Sequence, residues 1–253
     1  MYLTYKNPGL QYMIDNIMMF QNDEDSEFWR EPLFAVYPQI DKNHFNALAA
    51  DKRCEYIYAV MQDIYKDEES NISRKLVRYN QHWAENKLQV EDAFSTAFGV
   101  DCHTKFNSMV GYITLNPIEP RWLADTIFDV FYQNSERGAL GTALHEIIHF
   151  VWFDVWQRHF NDDVREYEHP HLKWVFSEMV VDPIMRNDAR LRDINPYFDD
   201  GCAYQYFYEM VIDGRPILET LNDMYKCMSI LDFMEQGFEY CVKYEAEIRE
   251  QMS

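Results

Sequence analysis

The sequence is poor in the features that mark secreted, membrane-spanning or flexible proteins. It has 8 glycines and 9 prolines in 253 residues, too few for a long flexible linker, and it shows no internal repeat. Its 5 cysteines are odd in number, widely spaced and without a CxxC pair, which is typical of reduced thiols. No secretory leader pattern is visible, and no window approaches the roughly 18 uncharged apolar residues of a transmembrane helix. These absences predict a cytoplasmic protein with no membrane partner.

Positive charge is the other scarce feature. The chain has 43 acidic and 23 basic residues, which gives a net charge of −20. Nucleic acids and anionic membranes repel such a surface, so neither is expected as the main partner. Hydrophobic residues make up 47% of the chain and aromatic residues 16%, which excludes intrinsic disorder. The composition therefore predicts an acidic globular protein.

Hydrophobic periodicity predicts a helix-rich α+β fold. Residues 43–65 and 73–98 carry apolar side chains near a 3.6-residue period, which predicts two helices. Residues 109–115 and 126–132 are short segments rich in β-branched and aromatic residues, which predicts two strands. Further helices are expected over residues 135–160, 171–182, 203–211, 216–228 and 230–249.

The segment that carries chemistry is His145-Glu146-Ile-Ile-His149. On a helix, side chains four residues apart leave the same face about 5–6 Å from each other, so both histidines can bind one zinc ion. Glu146 leaves the side of that face, where a carboxylate suits a general base acting on a metal-bound water. The residues around the motif are apolar almost all round the helix, which predicts burial. Buried histidines and a buried glutamate need a stabilising partner, and a metal ion is such a partner.

A catalytic zinc site needs a third protein ligand. The helix predicted over residues 171–182 supplies Glu178 and Asp182, two carboxylates on one face of an otherwise apolar helix that Pro183 is expected to end. Glu178 is expected to bind zinc. Asp182 is expected to accept the Nδ1–H of a zinc-bound histidine and so fix its tautomer.

Other side chains after the motif remain open as ligands. Asp154 is on the same rigid helix as His149 and cannot easily fold back to the metal. His159 is expected near the helix end, where the helix dipole favours a histidine. The remaining candidates belong to a stretch expected to be a solvated loop over the site: Asp162, Asp163, Glu166, Glu168, His169 and His171. From this loop, a histidine is an alternative donor to a tetrahedral intermediate.

His145-Glu146-x-x-His149 followed by Glu178-x-x-x-Asp182 resembles the gluzincin branch of zinc metallopeptidases. Thermolysin-like members of that branch carry HExxH and then a helix bearing ExxxD. The resemblance covers roughly residues 107–188. It implies a zincin-like core with a small sheet beside the active-site helix, three zinc ligands (His145, His149 and Glu178), Glu146 as general base and Asp182 as support for a ligand histidine.

The sequence departs from related patterns in several places. The metzincin spacing is excluded, since Trp152 and Val155 stand where that pattern requires Gly and His. The gap of 29 positions from His149 to Glu178 is longer than in thermolysin. No counterpart of the thermolysin edge-strand motif is found, and no downstream residue is assigned to stabilise an oxyanion. The tyrosines of the segment 204–208 are expected to be helix packing.

We therefore expect an N-terminal helical region over residues 1–98 and a zincin-like metallopeptidase core with C-terminal helices over residues 99–253. The expected function is zinc-dependent hydrolysis of a peptide or protein substrate. A cleft with negative walls would favour basic or neutral peptides. Two other interpretations stay open. One is a catalytically silent zincin fold that acts as a sensor or interaction module with structural or regulatory zinc, and the other is a helical scaffold with a fortuitous HExxH.

Overall fold

The computed structural model describes residues 1–22, 27–199 and 201–252. The chain forms two compact units. One, the sheet unit, comprises residues 2–85 and 106–142. The other, the helical unit, comprises Met1 with residues 86–105 and 143–253. The predicted domain boundary after residue 98 divides the chain differently and stays a prediction.

The sheet unit contains a small sheet and several helices. Its elements are β1 (Leu3–Lys6), α1 (Leu10–Gln21), α2 (Glu27–Val36), α3 (Lys42–Ala47), the first part of α4 (Ala50–Phe98), β2 (Met109–Thr114), β3 (Arg121–Trp122), β4 (Ile127–Phe131) and the start of α5 (Glu136–Phe160).

The helical unit is built almost entirely from helices. Besides the remaining parts of α4 and α5, it contains a 3-10 turn (Val164–Tyr167), α6 (Leu172–Asn187), α7 (Ala189–Ile194), α8 (Gln205–Glu209), the two-residue strands β5 (Val211–Ile212) and β6 (Arg215–Pro216), α9 (Ile217–Cys227), α10 (Ile230–Lys243) and α11 (Glu245–Gln251). The predicted helix-rich α+β class is confirmed. Within the described ranges, no helix is both long and apolar enough to cross a membrane.

The sheet has the strand order β1-β2-β4-β3. Strands β1, β2 and β4 are parallel, and β3 pairs antiparallel to β4. The two predicted strands are confirmed as β2 and β4. Strands β1 and β3 were not predicted, because four and two residues are too few to show a period of their own.

Helix α4 corrects one prediction. The two helices expected over residues 43–65 and 73–98 are a single helix of 49 residues, preceded by the short α3. The intervening residues 66–72 are mostly polar, which hides the period, but they include no glycine or proline. Lysine and glutamate in this stretch favour helix, so the backbone continues through it.

Helix α5 carries the HExxH motif. Its first turn is capped by Ser135, whose Oγ accepts the N–H of Gly138 at 3.0 Å. The side chains of Ile147, Ile148 and Trp152 are completely buried. The prediction of a buried helix over residues 135–160 is therefore confirmed.

Helix α6 carries the second pair of predicted site residues, and it is longer than expected. It runs through Pro183 to Asn187, so the prediction that Pro183 ends it is wrong. An interior proline removes one backbone hydrogen bond and costs about 3 kcal/mol. The helix buries Ile184 and Met185 beyond the proline, and each buried side chain of this size contributes about 1.5–3 kcal/mol. Burial therefore outweighs the cost of the proline.

The C-terminal predictions are confirmed in type and adjusted in extent. The helices expected over residues 203–211 and 216–228 are the shorter α8 and α9. The helix expected over residues 230–249 divides at Tyr244 into α10 and α11.

Candidate metal centre

Three of the predicted site residues converge in the helical unit. His145 and His149 leave one face of α5, and Glu178 comes from α6. Nε2 of His145 lies 3.1 Å from Nε2 of His149 and 3.1 Å from Oε2 of Glu178. Nε2 of His149 lies 3.4 Å from the same carboxylate oxygen. Three potential metal ligands thus form a nearly equilateral triangle.

The size of this triangle fits a tetrahedral zinc site. Ligand bonds of roughly 2.0–2.1 Å place the ligand atoms of a tetrahedron about 3.3–3.4 Å apart. The ligand atoms of His145, His149 and Glu178 lie close enough together that the three side chains could hold one metal ion. His149 and Glu178 are at most 1% exposed at the side chain, whereas His145 is 24% exposed. His145 is therefore the most exposed of the three side chains.

The tautomer of His145 is set by a backbone contact. Its Nδ1 lies 3.2 Å from the carbonyl oxygen of Cys202. A carbonyl oxygen only accepts hydrogen bonds, so this contact requires a hydrogen on Nδ1. In the neutral imidazole, Nε2 then presents a lone pair toward His149 and Glu178.

Electrostatics make this arrangement costly without a cation. A nitrogen lone pair and a buried carboxylate oxygen repel each other at 3.1 Å. Either an additional proton on the imidazoles or a metal ion among the three atoms removes that repulsion. Two imidazole nitrogens and one carboxylate oxygen are groups that could hold a metal ion.

Glu146 follows His145 on α5 and is buried, with 6% of its surface exposed. Its helical position places it beside the face from which the two histidines project. A buried carboxylate next to a metal site suits a proton acceptor, and this role of Glu146 stays a prediction.

Asp182 lies one helical turn after Glu178. Its Oδ1 accepts a hydrogen bond from the hydroxyl of Tyr208 at 3.0 Å, and its Oδ2 lies 2.7 Å from Nη2 of Arg186. Burial raises the pKa of Asp182 above its usual range, and Arg186 and Tyr208 offset only part of that effect. Asp182 was expected to accept the Nδ1–H of one of the two histidines, and for His145 the structure places the Cys202 carbonyl at Nδ1 instead.

The alternative ligands lie elsewhere in the helical unit. Asp154 pairs with Lys105 at 3.2 Å and with Arg158 at 2.6 Å. The three histidines considered as replacements for Glu178 are all exposed: His159, in the last turn of α5, His169 and His171. The carboxylates of the loop bind neighbouring side chains, as in the pairs of Asp162 with Lys173 and of Asp163 with Arg165.

The sequence pattern does not predict two features of the site. The first is the Cys202 carbonyl, since any residue can supply a backbone carbonyl and no side-chain pattern marks it. The second is the tyrosine segment of residues 204–208, which was interpreted as packing alone. The hydroxyl of Tyr208 contacts Asp182, and both burial and the charge of Glu178 raise the pKa of Tyr206.

Comparisons with known proteins leave the site to be interpreted from its geometry. No family model, no curated protein and no solved structure matches this chain.

Proposed function

We propose that this protein is a zinc-dependent peptide hydrolase of the gluzincin type. In the proposal, His145, His149 and Glu178 hold the metal, and the zincin-like core is part of the same proposal. The observation that carries it is the triangle of ligand atoms, with edges of 3.1, 3.1 and 3.4 Å, formed by two imidazoles and one buried carboxylate. This donor set and spacing suit zinc with one coordination position open for water.

Each residue has a defined task in the proposal. Zinc, when bound, polarises a carbonyl group and lowers the pKa of a coordinated water toward about 7. Glu146 takes the proton of the attacking water and passes it to the leaving amine. The Glu146 side chain is buried, which suits a carboxylate that acts inside a site rather than on the surface. The net charge of −20 favours basic or neutral peptides as substrates.

The proposal is tested by the substitution Glu146→Gln, assayed on a peptide library with zinc-loaded protein. Glutamine has nearly the same shape but cannot accept the proton, so turnover should fall by roughly 10²–10⁴-fold while zinc stays bound. Zinc content and turnover are measured on the same samples.

Glu136→Gln is the matched control, because it makes the same chemical change in the first turn of the same helix, where Glu136 pairs with Arg78. Its turnover should equal that of the wild type. Wild-type turnover in Glu146→Gln would remove Glu146 from the mechanism. A zinc-loaded wild type that cleaves no peptide would instead favour a sensor or interaction module.

A further inference from the structure

The Nδ1 side of His145 is held by a short, continuous chain of hydrogen bonds. The carbonyl of Cys202 accepts from Nδ1 of His145 at 3.2 Å. The backbone N–H of the same residue donates to the hydroxyl of Tyr208 at 2.8 Å. That hydroxyl in turn donates to Oδ1 of Asp182 at 3.0 Å. Both backbone groups of Cys202 are therefore engaged, one by the candidate ligand and one by Tyr208.

The Tyr208 hydroxyl is used to its full capacity. A phenol has one hydrogen to donate and two lone pairs to accept with. It donates to Asp182, and it accepts from the N–H groups of Cys202 at 2.8 Å and Ala203 at 3.4 Å. The donation can run only toward Asp182, since the other two partners are themselves donors. Tyr208 thus ties the segment around Cys202 to α6.

The far end of the chain is anchored by charge. Arg186 pairs with Asp182 at 2.7 Å and also binds Glu219 on α9 at 2.5 Å. Asp182 is 7% exposed at the side chain, so its position is fixed by these partners rather than by solvent.

The backbone at Gly201 is shaped to the same tyrosine. Gly201 has φ +99°, a conformation that other residues rarely adopt. A Cβ at this position would lie 2.9 Å from Cε2 of Tyr208. The segment therefore lies directly against the Tyr208 ring, and only glycine permits this approach.

We infer that Tyr208 is a positioning residue for His145: it holds the Cys202 peptide so that the carbonyl selects the Nδ1–H tautomer and directs the Nε2 lone pair toward His149 and Glu178. This inference rests on the proposed metal site. It assigns Asp182 an indirect task, as the acceptor that orients the Tyr208 hydroxyl. Groups that orient a ligand histidine in this way commonly change metal affinity by about 10–100-fold when removed.

The test is Tyr208→Phe, which removes one oxygen and keeps the ring. Zinc affinity, measured by competition with a chelator, should weaken by about 10-fold, the low end of the range, because Tyr208 acts through the backbone. The tautomer of His145 is measured separately on the metal-free protein. The ¹⁵N shifts of the His145 ring, recorded at alkaline pH where the imidazole is neutral, should report Nδ1–H in the wild type and a tautomer mixture in the variant.

One control variant separates positioning from general damage. Tyr167→Phe removes a hydroxyl that donates to Asp162 at 2.6 Å in the same unit, and it should leave zinc affinity and the tautomer unchanged.

The outcomes distinguish this inference from the proposed function. Wild-type zinc affinity and tautomer in Tyr208→Phe would overturn the inference alone. If the wild type binds no zinc, the proposed function fails, and the ring shifts of the metal-free proteins still decide whether Tyr208 sets the tautomer. A pure Nδ1–H signal in both proteins would then reject the positioning role.

Discussion

The two units each bury a carboxylate, and the two carboxylates have opposite surroundings. Asp129 on β4 of the sheet unit is completely buried, and it accepts hydrogen bonds from the Tyr12 hydroxyl and the Asn16 amide, each at 3.0 Å. Glu178 in the helical unit is 1% exposed and lies within 3.4 Å of the Nε2 atoms of His145 and His149. One carboxylate is surrounded by donors, and the other by nitrogen atoms that bind cations.

This difference separates a buried carboxylate held by hydrogen-bond donors from a buried carboxylate that is a candidate metal ligand. Burial raises the pKa of Asp129 to about 8, although the hydrogen bonds from Tyr12 and Asn16 lower it. Asp129 therefore retains its proton to a higher pH than an exposed aspartate does. Glu178 has two imidazoles beside it, and the three groups together match the ligands of a metal ion. The chemistry of the neighbouring groups, rather than burial alone, marks Glu178 as part of a candidate site.

The largest difference that we expect between Glu178 and Asp129 concerns stabilisation of the folded protein by zinc. A ligand present at 1,000 times its Kd stabilises the folded state by about 4 kcal/mol if it binds only that state. Thermal unfolding of the wild type should therefore shift to higher temperature when zinc is added, and a chelator should reverse the shift. Glu178→Gln should show almost none of it, and Asp129→Asn should show all of it. Equal zinc-induced shifts of the unfolding temperature in the wild type and Glu178→Gln would show that Glu178 does not bind the metal.

A smaller effect concerns pH and the sheet unit. The folded pKa of Asp129 is about 8, against a usual value of 3.8. Between these two pH values, Asp129 keeps its proton in the folded state and has lost it in the unfolded state. The contribution of Asp129 to the free energy of unfolding is therefore full below about pH 4, and it is lost as the pH rises toward 8. The loss is on the order of 1 kcal/mol per pH unit.

This pH effect is measured by urea unfolding from pH 5 to 8. Asparagine at position 129 resembles the neutral acid and does not titrate, so Asp129→Asn should lack this part of the slope. The free energy of unfolding of the wild type should therefore fall relative to that of the variant as pH rises. Parallel profiles would show that Asp129 keeps an ordinary pKa in the folded protein.

The parts of the fold that the sequence predicts are those whose apolar residues repeat with a helical or strand period within one segment. Helices α5 and α6 and strands β2 and β4 follow from apolar patterns within single segments. Strand β1 depends on pairing with β2, about a hundred residues away, and four residues carry no independent signal. The extension of α6 past Pro183 depends on burial that only the tertiary structure reveals.

Part of the candidate site is likewise predictable from single segments, and part depends on the tertiary structure. The spacing of His145 and His149 places both on one helical face, and Glu178 follows from its position on a second apolar helix. The structure brings these three side chains together, while their role as ligands and the identity of the metal stay predictions. The contact at Nδ1 of His145 comes from a carbonyl 57 positions further along the chain, which no residue pattern announces.

The central claim is that the triangle of His145, His149 and Glu178 binds zinc. The most direct measurement is the zinc content of the purified and reconstituted protein, determined by elemental analysis for the wild type, Glu178→Gln and Asp129→Asn. We expect about one zinc per chain in the wild type and in Asp129→Asn, and little or none in Glu178→Gln. No zinc in the wild type, or undiminished zinc in Glu178→Gln, would contradict it.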